Sequence, residues 1–162
     1  MKNSIKLLSL LAMASIFVMS SCKKDETTKS PTEYLTAGNW KVTGMTINPG
    51  IEVAGIVITD IYSVGVQDCT KDNLIKFNTN GSVTDDEGAT KCSSDDPQTT
   101  SDGTWTLSTD SKTLTIYYPD SDPAPATIVS LNGTKLVVTS PLFADFGFGE
   151  TNYTATITMT LQ

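Results

Sequence analysis

The chain has 162 residues, within the range of one domain, and sets 11 basic against 18 acidic side chains for a net charge of −7 and a pI of about 4.4. It contains no arginine and no histidine, which removes the bidentate phosphate clamp, the commonest general base and the commonest metal ligand. The balance excludes nucleic acid as a partner and leaves an enzyme, a metal centre or a bound cofactor without the residues they need.

In chain order, Lys2 and Lys6 precede an apolar run from Leu7 to Met19 that is too short to span a membrane, the layout of a secretory signal. The run ends in Met19-Ser20-Ser21-Cys22. Small residues before a Cys resemble the lipobox of bacterial lipoproteins, and the resemblance implies that residues 1–21 are removed and Cys22 is lipidated. Lys23-Lys24-Asp25-Glu26 follows, and it resembles the surface-export signal of Bacteroidota lipoproteins. It implies an outer-membrane, lipid-anchored protein facing the cell exterior, its acyl chain held in the membrane lipid. Residues 22–32 are polar, end in Ser30-Pro31 and read as a flexible tether. The folded part is then 33–162. Removal of the signal takes two lysines, leaving nine against eighteen acids and a charge of −9.

Period-two alternation dominates the folded part. The first strand is expected over 38–47. Residues 48–72 fit least well, with Gly55 and Gly65 breaking an apolar stretch of mixed period. A strand, a short helix over a barrel mouth around 59–66, or both, would suit it. Asn80-Gly81 and Asn132-Gly133 are favoured in two-residue type I′ hairpins. The first is expected to join 74–79 to 82–86 and the second 126–131 to 134–140. A turn at 109–112 joins 103–108 to 113–118. The last strand is the clearest. Tyr153, Ala155, Ile157, Met159 and Leu161 fall on one face, and Thr154, Thr156, Thr158 and Thr160 on the other. Eight consecutive strands linked by hairpins predict an all-β, antiparallel up-and-down meander closing into a barrel.

Glu33-Tyr34-Leu35 followed by Gly38-Asn39-Trp40 looks like a helical turn leading into a first strand. It resembles the Gly-x-Trp opening of lipocalins. A Cys before the next strand, an Asn-Gly hairpin, a second Cys and the strand Gly103-Thr104-Trp105-Thr106-Leu107 extend the resemblance to the lipocalin-like domains of Bacteroidota lipoproteins. The resemblance implies a small calycin-type barrel with Trp40 plugging its closed end. Lipocalins lay an Arg over that Trp. Here Lys135 takes its place or nothing does.

Cys69 and Cys92 remain, and in an exported chain they are expected to form a disulfide. Zinc and redox roles lack His partners and Cys-x-x-Cys spacing. Asp85-Asp86-Glu87, Asp95-Asp96 and Asp120/Asp122 read as solvated loop acids with little to raise a pKa; calcium is the alternative use. In 141–149, Phe143, Phe146 and Phe148 lie among glycines. They read as a core strand or plug, or as an aromatic lip at an opening. The expected function is a non-enzymatic binding module for a small apolar or amphipathic ligand, with Trp105 and the three phenylalanines as candidate contacts. The alternative is a solid barrel that acts as a structural or protein-interaction surface.

Overall fold

The structure, a computed structural model, describes residues 29–145 and 150–162, and for 143–145, 150 and 151 the backbone alone. Cys22, Phe146 and Phe148 lie outside the described residues.

A short helix, α1 (Pro31–Leu35), opens the fold. Ser30 caps it by a reciprocal pair of bonds: its hydroxyl accepts from the Glu33 N–H at 3.3 Å, and the Glu33 carboxylate accepts from the Ser30 N–H at 2.7 Å. Pro31 occupies the first turn, where its missing N–H costs nothing. Ser30 and Pro31 are thus part of the folded unit and not the end of the tether.

Nine strands form one antiparallel sheet among the described residues: β1 (Asn39–Val53), β2 (Ile56–Asp60), β3 (Leu74–Phe77), β4 (Ser82–Asp86), β5 (Thr99–Leu107), β6 (Thr113–Tyr117), β7 (Ala124–Leu131), β8 (Lys135–Asp145) and β9 (Glu150–Leu161). Eight of them close into a barrel, since β9 returns to pair with β1 from Trp40↔Leu161 to Asn48↔Thr154. All eight expected strands are present. β2 is the addition. On one edge, the long β1 pairs first with β3 at residues 39–41, then with β2 at Thr46 and, beyond a register shift, at residues 51–53. Between β2 and β3 come α2 (Ile61–Gly65), inside the span expected for a short helix, and a 3₁₀ turn, Asp68–Thr70.

The turn chemistry differs from expectation at both Asn-Gly pairs. The Asn78 carbonyl accepts from the Gly81 N–H at 3.0 Å while the Asn78 N–H donates to Ser82 at 2.9 Å. The loop is therefore one residue longer, with Gly81 alone left-handed at φ +86°. At the second pair the Asn132 side-chain oxygen accepts from the N–H groups of Thr134 and Lys135, both at 2.9 Å. The side chain replaces the backbone acceptor, so neither residue needs the left-handed region. The pair with two left-handed residues is Ala54-Gly55, at φ +51° and +81°, which joins β1 to β2.

The inner face packs in two layers. At the end where β1 starts, Leu35, Trp40, Phe77, Val83, Trp105, Leu136 and Met159 form one buried cluster. Trp40 is wholly buried, and its ring N–H donates to the Leu35 carbonyl at 2.8 Å. Lys135 is exposed, so α1, through Leu35, takes the place of the missing Arg. Phe77 and Trp105 meet edge to face at 5.7 Å. At the opposite end a smaller cluster of Ile47, Tyr153 and Ala155 packs with Ile51, Ile61 and Leu142. The barrel is filled at one end and looser at the other.

Candidate functional site

The looser end is shaped by the β1–β2 hairpin and α2. Antiparallel partners share a face, so Ile51 with Ile58 and Val53 with Ile56 point to the same side. Gly50 permits this approach: a Cβ there would stand 2.6 Å from Val57 Cγ1 and 3.0 Å from the Ile58 carbonyl. α2 starts on Asp60, whose carboxylate accepts from the Ser63 N–H at 3.1 Å and hydroxyl at 2.6 Å. Those bonds hold the Asp60 carboxyl below the usual carboxylate range. The Tyr62 hydroxyl donates to the Val42 carbonyl at 3.0 Å, tying α2 to the β1 edge that β3 leaves uncovered.

The result is an apolar groove of about 370 Å³ with β1 side chains Met45, Ile51 and Val53, Ile58 of β2, and Ile61, Val64 and Val66 around it. No polar side chain lines it. The surface beside it is unusually apolar: Ile56, on the Ile58 face of β2, is 66 % and Val64 69 % exposed.

Inside the barrel a second, smaller chamber of about 110 Å³ lies between β6 and β9, bounded by Leu114, Ile116, Ala124, Ala126, Val138, Ser140, Ile157 and Met159. Ala124 and Ala126 make the room, because larger side chains on that inner face would fill it. Ile157 of the chamber is the register partner of Met45 of the groove, so that pair of side chains stands between the two spaces.

Beyond the chamber, the inner wall carries a polar pair. Tyr118 donates its hydroxyl to the Asp85 carboxylate, at 3.1 and 3.0 Å from its two oxygens. The ring crosses Gly103, where a Cβ would stand 2.8 Å from Tyr118 Cε1. Burial pushes the Asp85 carboxyl up, the Tyr118 bond opposes that, and the charges of Asp102 and Glu87 add to the rise. Burial and the same carboxylate push the Tyr118 hydroxyl far up as well. This corrects the reading of Asp85 as a solvated loop acid. It alternates with buried Val83 along β4 and so faces inward. That Val83–Asp85 alternation was the available signal.

Cys69 and Cys92 form a disulfide, Cα atoms 5.2 Å apart, tying the 3₁₀ turn to the loop after β4. Asp72 helps hold that loop, its carboxylate accepting from the N–H groups of Ala89 and Thr90, both at 2.9 Å. Trp105 lies with Trp40 in the filled end, its ring N–H donating to the Asn78 carbonyl at 3.0 Å, and it borders neither cavity. Phe143 stands on β8 opposite Asn152. Among the described residues no group of His, Cys, Asp or Glu comes together in a way that could hold a metal ion. The groove residues of β2 and α2 were missed as site residues, because their mixed apolar period gives no face.

Residues 36–138 match the lipocalin-like domain family. The chain belongs to that family. No curated protein matches it. Among solved structures, a complex of bovine odorant-binding protein with a selenium-containing odorant is similar to this lipocalin-like domain at 15 % identity and a TM-score of 0.42, covering 86 % of this chain and 77 % of that one.

Proposed function

We propose that this chain is a cell-envelope lipoprotein whose barrel binds one small apolar or amphipathic ligand at its open end and carries out no catalysis. The observation that carries the reading is the groove under α2: its volume of about 370 Å³ falls in the range typical of ligand pockets, and the side chains that line it are all apolar. The lack of Arg and His in the sequence supports binding over chemistry. The lipobox at Cys22 and the acids of Lys24-Asp25-Glu26 support an anchor in outer-membrane lipid and exposure to the exterior. Native mass spectrometry of the purified protein tests the ligand: a co-purified small molecule is expected, and it should be lost from Ile58→Trp, which fills the groove. Retention of the molecule by that variant would move the site elsewhere. For the anchor, Cys22→Ala should no longer incorporate labelled fatty acid.

A second reading, a protein-interaction surface, is favoured by the exposed side chains of Ile56 and Val64 beside the groove. Under it the native protein carries no small molecule, and Ile56→Lys abolishes complex formation with a protein partner.

A further inference from the structure

We propose that Asn132 is a site of spontaneous covalent modification: its side-chain amide closes on the Gly133 nitrogen, loses ammonia and reopens as aspartate or isoaspartate. The chain holds two Asn-Gly pairs, Asn80-Gly81 and Asn132-Gly133, and the fold treats them differently. At the first pair the nucleophile is engaged, because the Gly81 N–H donates to the Asn78 carbonyl at 3.0 Å. At the second, the Gly133 N–H donates to no protein acceptor among the described residues. Asn132 and Gly133 are both exposed, so water reaches the nitrogen, the amide and the departing ammonia.

The β7–β8 turn also prepares the electrophile. Asn132 Oδ1 accepts three hydrogen bonds, from the N–H groups of Thr134 and Lys135, both at 2.9 Å, and from the Thr134 hydroxyl at 3.2 Å. Donors that converge on a carbonyl oxygen stabilise the negative charge it gains on attack. Asn80 Oδ1 has one donor fewer, accepting from the Ser82 N–H at 3.0 Å and hydroxyl at 2.8 Å. In the reaction the Gly133 nitrogen gives its proton to water and bonds to Asn132 Cγ, the carbonyl pair moving onto Oδ1. As that pair returns, the Cγ–Nδ2 bond breaks and Nδ2 leaves as ammonia with a proton from water. A water molecule then opens the cyclic imide: attack at Cγ yields aspartate, and attack at the backbone carbonyl yields isoaspartate. One amide and one water become one acid and one ammonia, with no change of oxidation state. The consequence falls on the closing seam of the barrel. The Thr134 carbonyl accepts from the Leu161 N–H at 2.9 Å, and Leu161 is the register partner of Trp40. Aspartate keeps the acceptor of the turn, whereas isoaspartate routes the backbone through Cβ and lengthens the turn beside that seam.

Peptide mapping by mass spectrometry, with isoaspartate identified by fragmentation, follows both pairs at mildly alkaline pH in the folded protein and in guanidinium. Unfolded, the two pairs should react at similar rates. Folded, Asn132 is expected to react roughly tenfold faster than Asn80. A Cβ at Gly133 would meet Tyr34 Cε1 at 3.8 Å, an ordinary contact, so Gly133→Ala keeps the fold. By crowding the ring closure it should slow the reaction at Asn132 roughly tenfold. Equal rates at the two pairs in the folded protein, or an Asn132 that reacts only after unfolding, would overturn the inference. So would a rate gap that persists undiminished in guanidinium, or a Gly133→Ala variant that reacts as fast as the parent.

Discussion

Trp40 buries its whole indole and spends its one polar hydrogen on the carbonyl of Leu35. Truncation of a buried aromatic to Ala typically costs about 3–5 kcal/mol, a large part of the roughly 5–15 kcal/mol that stabilises a domain. Trp40→Ala should therefore shift the denaturant midpoint sharply downward or abolish folding. In a Trp105→Phe background the Trp40 emission should be blue-shifted and resist quenchers, and a red-shifted, readily quenched signal would place the ring elsewhere. Asp85 makes the opposite kind of contribution. Its carboxyl is raised in the fold, so the folded state favours the protonated form. The stability it supplies is complete below the unfolded-state value of about 3.9 and is lost as pH rises through its folded value. Melting curves of the parent and of Asp85→Asn should converge in acid and diverge toward neutrality, the variant becoming the more stable. Parallel curves would mean that the carboxyl is not perturbed.

At the scale of elements, the β1–β2 hairpin and α2 form a unit that the barrel does not need for closure. Gly50→Val would drive a side chain into Val57, Thr59 and the Ile58 carbonyl, lifting β2 from β1. Amide exchange should accelerate in 56–60 while 153–161 stays protected. Equal protection in both would show that the hairpin tolerates the bulk. This unit was also the hardest to read. β9 declared itself because four threonines alternate with a buried face, and the strands between short polar turns followed. β2 has apolar side chains on both faces, Ile56 and Ile58 on one and the exposed Val57 on the other, so no period marks it. The Asn-Gly turns misled for a local reason, since Asn side chains can take over the turn's hydrogen bonds and free the backbone from the mirror-image geometry. Trp40 and Trp105 sit in similar Gly-x-Trp contexts, and the fold brings both into one layer. Trp105 thus looked like a contact residue only so long as the end it occupies was unknown.

For the whole molecule, the disulfide and the closing strand pair act on different parts. Cys69–Cys92 closes a loop of sequence separation 23, worth roughly 3 kcal/mol by the chain-entropy argument. Cys69→Ala with Cys92→Ala should lose about that much stability, and the loop after β4 should become the first site of proteolysis. Two thiols alkylated in the unfolded, unreduced protein would show that the bridge is absent. Closure itself depends on β1 meeting β9, with Trp40 opposite Leu161, a pairing of maximal sequence separation that favours slow, all-or-none folding. Finally, α1 packs beneath the filled end through Leu35, and β1 runs from there to the groove. Whatever grips this chain by its N-terminal side grips it at that base, with the mouth at the far end.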